Sequence, residues 1–122
     1  MLGKTEWAIG DGFMSETSCG GYDSHEAVCV LNLSDKPAAI AITVYFEDSE
    51  PLTGFTAHCG AARTNHIRLD KIKNADGVQI PKEKPYALLV QSDVPIVVQH
   101  SRMDVTQAEM TLMSTIAYTT NG

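Results

Sequence analysis

AAIAITVYFE, residues 38–47, decides the architecture: Ile40, Ile42, Val44 and Phe46 fall on one face of an extended chain, with Ala41, Thr43, Tyr45 and Glu47 on the other. β-branched and aromatic residues at a period of two fit a half-buried strand and cannot build the stripe of a helix. The Ile/Val face is therefore expected to be core. Upstream, SHEAVCVLNL (Ser24–Leu33) reads as a second strand, and Ser34-Asp35-Lys36-Pro37 between them is a turn that predicts an antiparallel hairpin. Further out lie a strand at Thr5–Ile9, in which Trp7 and Ile9 alternate with polar or small residues, and a Gly- and Ser-rich segment at Asp11–Asp23, read as a lid or surface loop.

Downstream, Pro51 and Gly54 introduce a short strand at Phe55–Cys59, and Gly60 a turn before a strand at Arg63–Leu69. Asp70–Pro85 is a long polar connection. ALLVQS and PIVVQHSRMD then give two strands separated by Ser92-Asp93-Val94-Pro95, read as a hairpin connection. Thr106–Met113 is the one helix-compatible stretch, with Thr106 and Glu109 at capping-box spacing. Ser114–Thr119 is a last strand, and Thr120-Asn121-Gly122 a frayed end. About eight short strands with Gly and Pro turns predict an all-β antiparallel sandwich or small barrel, with at most one short helical turn near the C-terminus. At 122 residues, one domain over residues 1–122 is expected.

Fifteen acidic against nine basic side chains give a net charge of −6, which repels a polyanion, so general binding to nucleic acid is not expected. The chain has no apolar run of about 18 residues and no signal-peptide core, which predicts a cytoplasmic protein. Cys19, Cys29 and Cys59 form neither a CxxC nor a zinc spacing, and Cys29 in AVCVL reads as a buried thiol.

Two polar rows carry the functional reading. Thr64, His66 and Arg68 share one strand face, while Ile67 and Leu69 share the other; His100, Arg102 and Asp104 likewise stand two apart at the end of an apolar strand. Same-face neighbours stand roughly 6.6 Å apart, a span suited to a hydroxyl-rich or anionic small molecule gripped by forked guanidinium groups and imidazoles. A solvated face with cross-strand ion pairs, such as Arg68 or Arg102 with Asp104, fits the same pattern. His25, His58, His66 and His100 include no HxH or HExxH, so no metal site is expected; without a GxSxG elbow, a GxGxxG or a Walker motif, neither an enzyme nor a nucleotide site is expected. Trp7 and Tyr22 are candidates for the wall of a sugar site, although Trp7 in an apolar strand also fits core.

WAIGDGF, SHEAVCVLN, ITVYFEDSEP, ARTNHIRL, VQSDVPIVVQHSRMD and QAEMTLMSTIAY, in this order over nearly the whole chain, resemble the Anabaena sensory rhodopsin transducer family. The resemblance implies a small β-sandwich that assembles as a homotetramer and acts as a soluble binding or signalling module, in some members downstream of a membrane photoreceptor; no cofactor is expected. It also implies a small polar, sugar-like ligand. The family's polar positions fall here on Trp7, His25, Glu26, Arg63, Thr64, His66, Arg68, Gln91, Gln99, His100, Arg102, Asp104 and Gln107. The first expectation is thus a ligand-binding module that uses these side chains, and the second an interaction adaptor for a membrane receptor, with a DNA-binding regulator and a metal-dependent enzyme as the remaining readings.

Overall fold

The computed structural model describes residues 2–120 and shows seven strands: β1 (Lys4–Gly12), β2 (His25–Asn32), β3 (Ala38–Tyr45), β4 (Leu52–Cys59), β5 (Arg63–Arg68), β6 (Tyr86–Asp104) and β7 (Thr111–Ile116). All pair antiparallel, and the sheet curls into a half-barrel of the sandwich type expected. β6 is its axis. Its first half pairs with β1 and β3, and its second half with β2 and β7; β4 extends β3, and β5 extends β2.

Three sequence expectations are corrected. The two strands expected around Ser92–Pro95 are one 19-residue strand, and this is why seven strands appear where about eight are expected. Relative to β1, residues 92–95 form a bulge between the pairs Glu6↔Gln91 and Lys4↔Ile96, a position where Pro95, with no N–H to give, is tolerated. Asp93 is not spent on a turn: its Oδ1 accepts the Ala39 N–H at 2.8 Å.

Secondly, β2 and β3 do not form a hairpin. β2 pairs with residues 97–103 of β6 and β3 with residues 87–92, so the chain carries on along β6 across the 33–37 link. The buried Asn32 holds that link: its Nδ2 donates to the carbonyls of Lys36 (2.8 Å), Cys59 (3.1 Å) and Gly60 (3.1 Å), and its Oδ1 accepts from the Ser34 N–H and hydroxyl.

Thirdly, Thr106–Met113 is not helical. The capping box does not form; Thr106 Oγ1 donates to Gln107 Oε1, and from Thr111 the chain pairs with β6. An eight-residue helix is marginal alone, and the ladder beside β6 offers its backbone a partner at every second residue.

The core lies on one side of the curl. Even-numbered residues of β6 (Tyr86, Leu88, Val90, Ile96, Val98) meet Ile40, Ile42 and Val44 of β3, Trp7 and Ile9 of β1, Val28 and Val30 of β2, Phe55 of β4 and Ile67 of β5. The period read from AAIAITVYFE is realised: Ile40, Ile42 and Val44 are buried, while Phe46 lies just beyond the strand against the core. The 13–24 segment is a tied surface loop. Met14 is buried, its carbonyl accepts from Glu83 N–H, Cys19 N–H donates to Val105 O, and Ser24 Oγ donates to Thr17 O. Asn121 and Gly122, expected to fray, lie outside the described residues. Among the described residues no helix is long and apolar enough to cross a membrane.

Candidate functional site

Partners in an antiparallel ladder point to one face, so register assigns every polar side chain of this half of the sheet. Val28 lies opposite both Ile67 and His100, whereas Cys29 lies opposite both His66 and Gln99. His100 and Arg102 therefore share the inner face with Val28 and Ile67. Thr64, His66, Arg68 and Gln99 share the outer face. The two rows do not converge on one pocket; they stand on opposite sides of one layer.

The inner row centres on Glu26, whose side chain is completely buried. Its Oε1 accepts from the Tyr86 hydroxyl and lies 2.9 Å from His100 Nε2, while its Oε2 accepts from Arg102 Nε at 2.5 Å and from the Phe13 N–H at 3.1 Å. Two donors on each oxygen satisfy the carboxylate, and no described buried side-chain N or O atom lacks a partner. Burial on its own raises the Glu26 carboxyl, but the hydrogen bonds from His100, Tyr86 and Phe13 together with the His100 charge outweigh it and hold the group below the ordinary carboxylate range. Tyr86 moves the other way: burial first, then the adjacent Glu26 charge, pushes its phenol far above the usual tyrosine value. Gly12 makes room for this ring, because a Cβ there would come within 2.3 Å of Tyr86 Cε1.

This cluster floors a cleft of about 260 Å³ between β1, β6 and β7. Arg102 and His100 form its polar base, Asp11 its rim, Thr115 and Met113 of β7 one wall and Tyr118 an exposed aromatic edge. Arg102 keeps about a quarter of its side chain exposed, and Nη2 donates to the Asp11 carbonyl at 3.3 Å, with the Asp11 carboxylate at 3.8 Å. With Nε on Glu26 and Nη2 on Asp11, Nη1 is the guanidinium nitrogen left for a guest.

The other predicted positions are scattered. Trp7 is core, its Nε1–H donating to the carbonyls of Lys4 and Ile96, both at 3.0 Å. His25 Nδ1 sits 2.8 Å from Asp23 O, and His25 shares the lining of a second, smaller cavity with the predicted Arg102 and Asp104, beside Phe13, Met103 and Glu83. Arg63 folds onto its own turn, donating to Ala62 O at 3.0 Å. Thr64 Oγ1 donates to Val30 O, and Gln91 Nε2 to Glu6. Arg68 forms a bidentate pair with Asp70, both contacts 2.8 Å, instead of meeting Asp104. Burial on its own raises the Asp70 carboxyl, but the Arg68 hydrogen bond and charge hold it below its ordinary value. Asp104 does not meet Arg102 either; its Oδ1 accepts the Thr106 N–H, which lowers its pKa. Gln107 donates to Glu109 O, and Gln99 is exposed on the outer face. Among the described residues no group of three or more His, Cys, Asp and Glu gathers as a metal set.

Sequence reading missed Tyr86, Asp11 and Thr115. The signal for Tyr86 is present, since 86, 88, 90, 96, 98 and 100 share one parity of a single strand, but it vanishes once that strand is divided at 92–95.

The family model described as Anabaena sensory rhodopsin transducer matches residues 2–119. Among solved structures, the crystal structure of Thermotoga maritima 1070 has a TM-score of 0.88 at 39% identity, over 100% of this chain and 99% of that one. The Anabaena sensory rhodopsin transducer has a TM-score of 0.73, also at 39% identity, over 81% of this chain and 96% of that one. No curated protein matches the chain. With the match running from β1 through β7 and the inner cluster into Tyr118, the chain belongs to the Anabaena sensory rhodopsin transducer family.

Proposed function

We propose that this chain is a single-domain, cytoplasmic signal-transducing module that works by binding and not by catalysis, assembles as a homotetramer, and recognises a small polar ligand of carbohydrate-like chemistry in the cleft over Arg102. The carrying observation is that Arg102 and His100 are locked by a buried carboxylate while Arg102 still reaches the opening. Such a base is preorganised, so a ligand does not have to order it. Charge selects the ligand class. Glu26 already balances Arg102, and the exposed Asp11 adds a further negative charge, which favours a neutral, hydroxyl-bearing guest over an acid or phosphate. The cleft lies just under the usual 300–1,000 Å³ of ligand sites, in keeping with a single sugar ring beside Tyr118.

Thermal-shift titration with neutral sugars, sugar acids and sugar phosphates tests this. A neutral sugar is expected to raise the Tm of the wild type and lose that effect in Arg102→Lys and Asp11→Ala. Stabilisation by no sugar, or equal stabilisation of all three proteins, would falsify the reading.

The outer face supports the assembly. Leu31 of β2 and Leu112 and Ile116 of β7 leave 40%, 66% and 57% of their surface exposed, and apolar groups so placed are normally covered by another subunit or partner. The family's description names a sensory rhodopsin, so the corresponding partner for this chain is a membrane photoreceptor. Light scattering is expected to give a tetramer that Leu112→Glu dissociates; a monomeric wild type would remove this part of the proposal.

A further inference from the structure

β4 and β5 end the strand path β4-β3-β6-β2-β5, and closing the barrel would require them to pair. They are joined by Gly60–Ala62 alone and yet form no ladder. Two side chains near the turn replace it: Asn65 Nδ2 donates to His58 O at 2.8 Å, and Cys59 Sγ lies 3.2 Å from Arg63 O. Beyond them a slot of about 440 Å³ opens between the strands.

The backbone along this slot is turned toward it. Leu69 N–H donates to Glu26 O, which makes 26↔69 a hydrogen-bonded pair and, by alternation, 28↔67 and 30↔65 as well. The N–H and C=O groups of Thr64 and His66 therefore point away from β2, into the slot. On the other side, His58 O is taken by Asn65 and Ala39 N–H by Asp93, so Ala39↔His58 is a non-bonded pair, and the backbone groups of His58 and Thr56 also face the slot.

No carboxylate lines it: His58, His66, Arg68 and Lys71 do, and with Arg68 paired to Asp70, Lys71 carries the uncompensated charge of the lining. Asp70 is turned onto Arg68 with only 4% of its side chain exposed, and Asp23 adds a weaker attraction on the same guanidinium. A cationic or neutral lining on a chain of net charge −6 is a local inversion that attracts acidic groups the rest of the surface repels.

We propose that the slot between β4 and β5 docks an extended, acidic segment of a partner protein by strand addition to the open edge of β5. The edge of β5 supplies main-chain hydrogen bonds, and Lys71 with the His58 and His66 imidazoles selects for Asp and Glu side chains. The site is independent of the sugar cleft, which lies on the inner face beside β7.

Fluorescence anisotropy with a labelled peptide of about ten alternating Glu and Val residues, long enough to cover one edge strand, tests it, with the Lys-Val peptide and a single-stranded oligonucleotide as controls. The Glu-Val peptide is expected to bind, to slow amide exchange at Thr64 and His66, and to weaken about ten-fold or more in Lys71→Glu. It is also expected to be lost in His66→Pro, which removes an N–H that β2 does not use. Should His66→Pro fail to fold, amide protection in the wild type decides the same point. Binding without that protection, equal binding of the Lys-Val peptide, or tighter binding of the oligonucleotide would each overturn the proposal. So would protection that rises with protein concentration alone, since a second copy would then fill the slot.

Discussion

The inner and outer faces of the β5-β2-β6-β7 layer carry polar rows written in the same alternation, and they behave oppositely. On the inner face, Glu26 is fully buried and every lone pair that matters meets a donor from Tyr86, His100, Arg102 or Phe13. On the outer face, Arg68 and Asp70 form an equally regular pair that is open on one side only: the guanidinium side chain is 38% exposed and the carboxylate 4%. Period two says that side chains share a face; only burial says whether that face holds the protein together or greets a partner. In a buried setting, removing one member strands the others without water, whereas a pair open on one side gives up less, because water can reach the member left behind.

The sharpest way to break this comparison is Glu26→Ala. It leaves Arg102, His100 and Tyr86 facing an empty, dry space, and urea unfolding is expected to show a loss of about 3–5 kcal/mol. A loss under about 1 kcal/mol would mean that the cluster is wet and the two faces are alike. Tyr86→Phe removes one donor to a charged acceptor and is expected to cost about 1.5–3 kcal/mol by the same measurement. Gly12→Ala reaches the cluster from behind, through the ring it displaces, and is expected to cost about 1–3 kcal/mol.

Acid sharpens the contrast. Glu26 is held below its ordinary value of 4.5, so the stability it contributes is complete above that value and drains away as pH falls through the lower folded value. Tyr86, raised above 10.0, contributes stability that is whole below pH 10.0 and declines in stronger base. Tm measured against pH is therefore expected to be flat through neutrality and to fall at both ends, with the basic fall absent in Tyr86→Phe. A basic fall of unchanged size in that variant would sever the link. Arg68→Ala on the outer face leaves the Asp70 carboxylate, only 4% exposed, without both of its guanidinium donors and is expected to cost about 1–3 kcal/mol in urea unfolding, less than Glu26→Ala because water can enter where the half-open guanidinium stood.

The strand class was legible because AAIAITVYFE and SHEAVCVLNL satisfy a period that only sheets use. Pairing was not. Ser34–Pro37 has hairpin chemistry, yet Asn32 uses those residues to carry the chain along β6, and Ser92–Pro95 has turn chemistry inside a bulge. Turn-forming residues report local bends and not where the next strand goes. The site was half legible: His100 and Arg102 stood out by spacing, and Glu26 entered through family resemblance. Tyr86 was hidden because its place depends on the continuity of β6, and the opposite facing of His66 and His100 depends on a register that no single segment encodes.

The length of β6 has a consequence for how the molecule comes into being. Four of the other six strands lie against it, so before residues 86–104 have left the ribosome only the pairs β3–β4 and β2–β5 have a partner. Nascent chains must hold Ile40, Ile42, Val28 and Val30 uncovered until then, and contacts spanning most of the sequence make the final step slow for a protein of this size, on the order of milliseconds to seconds.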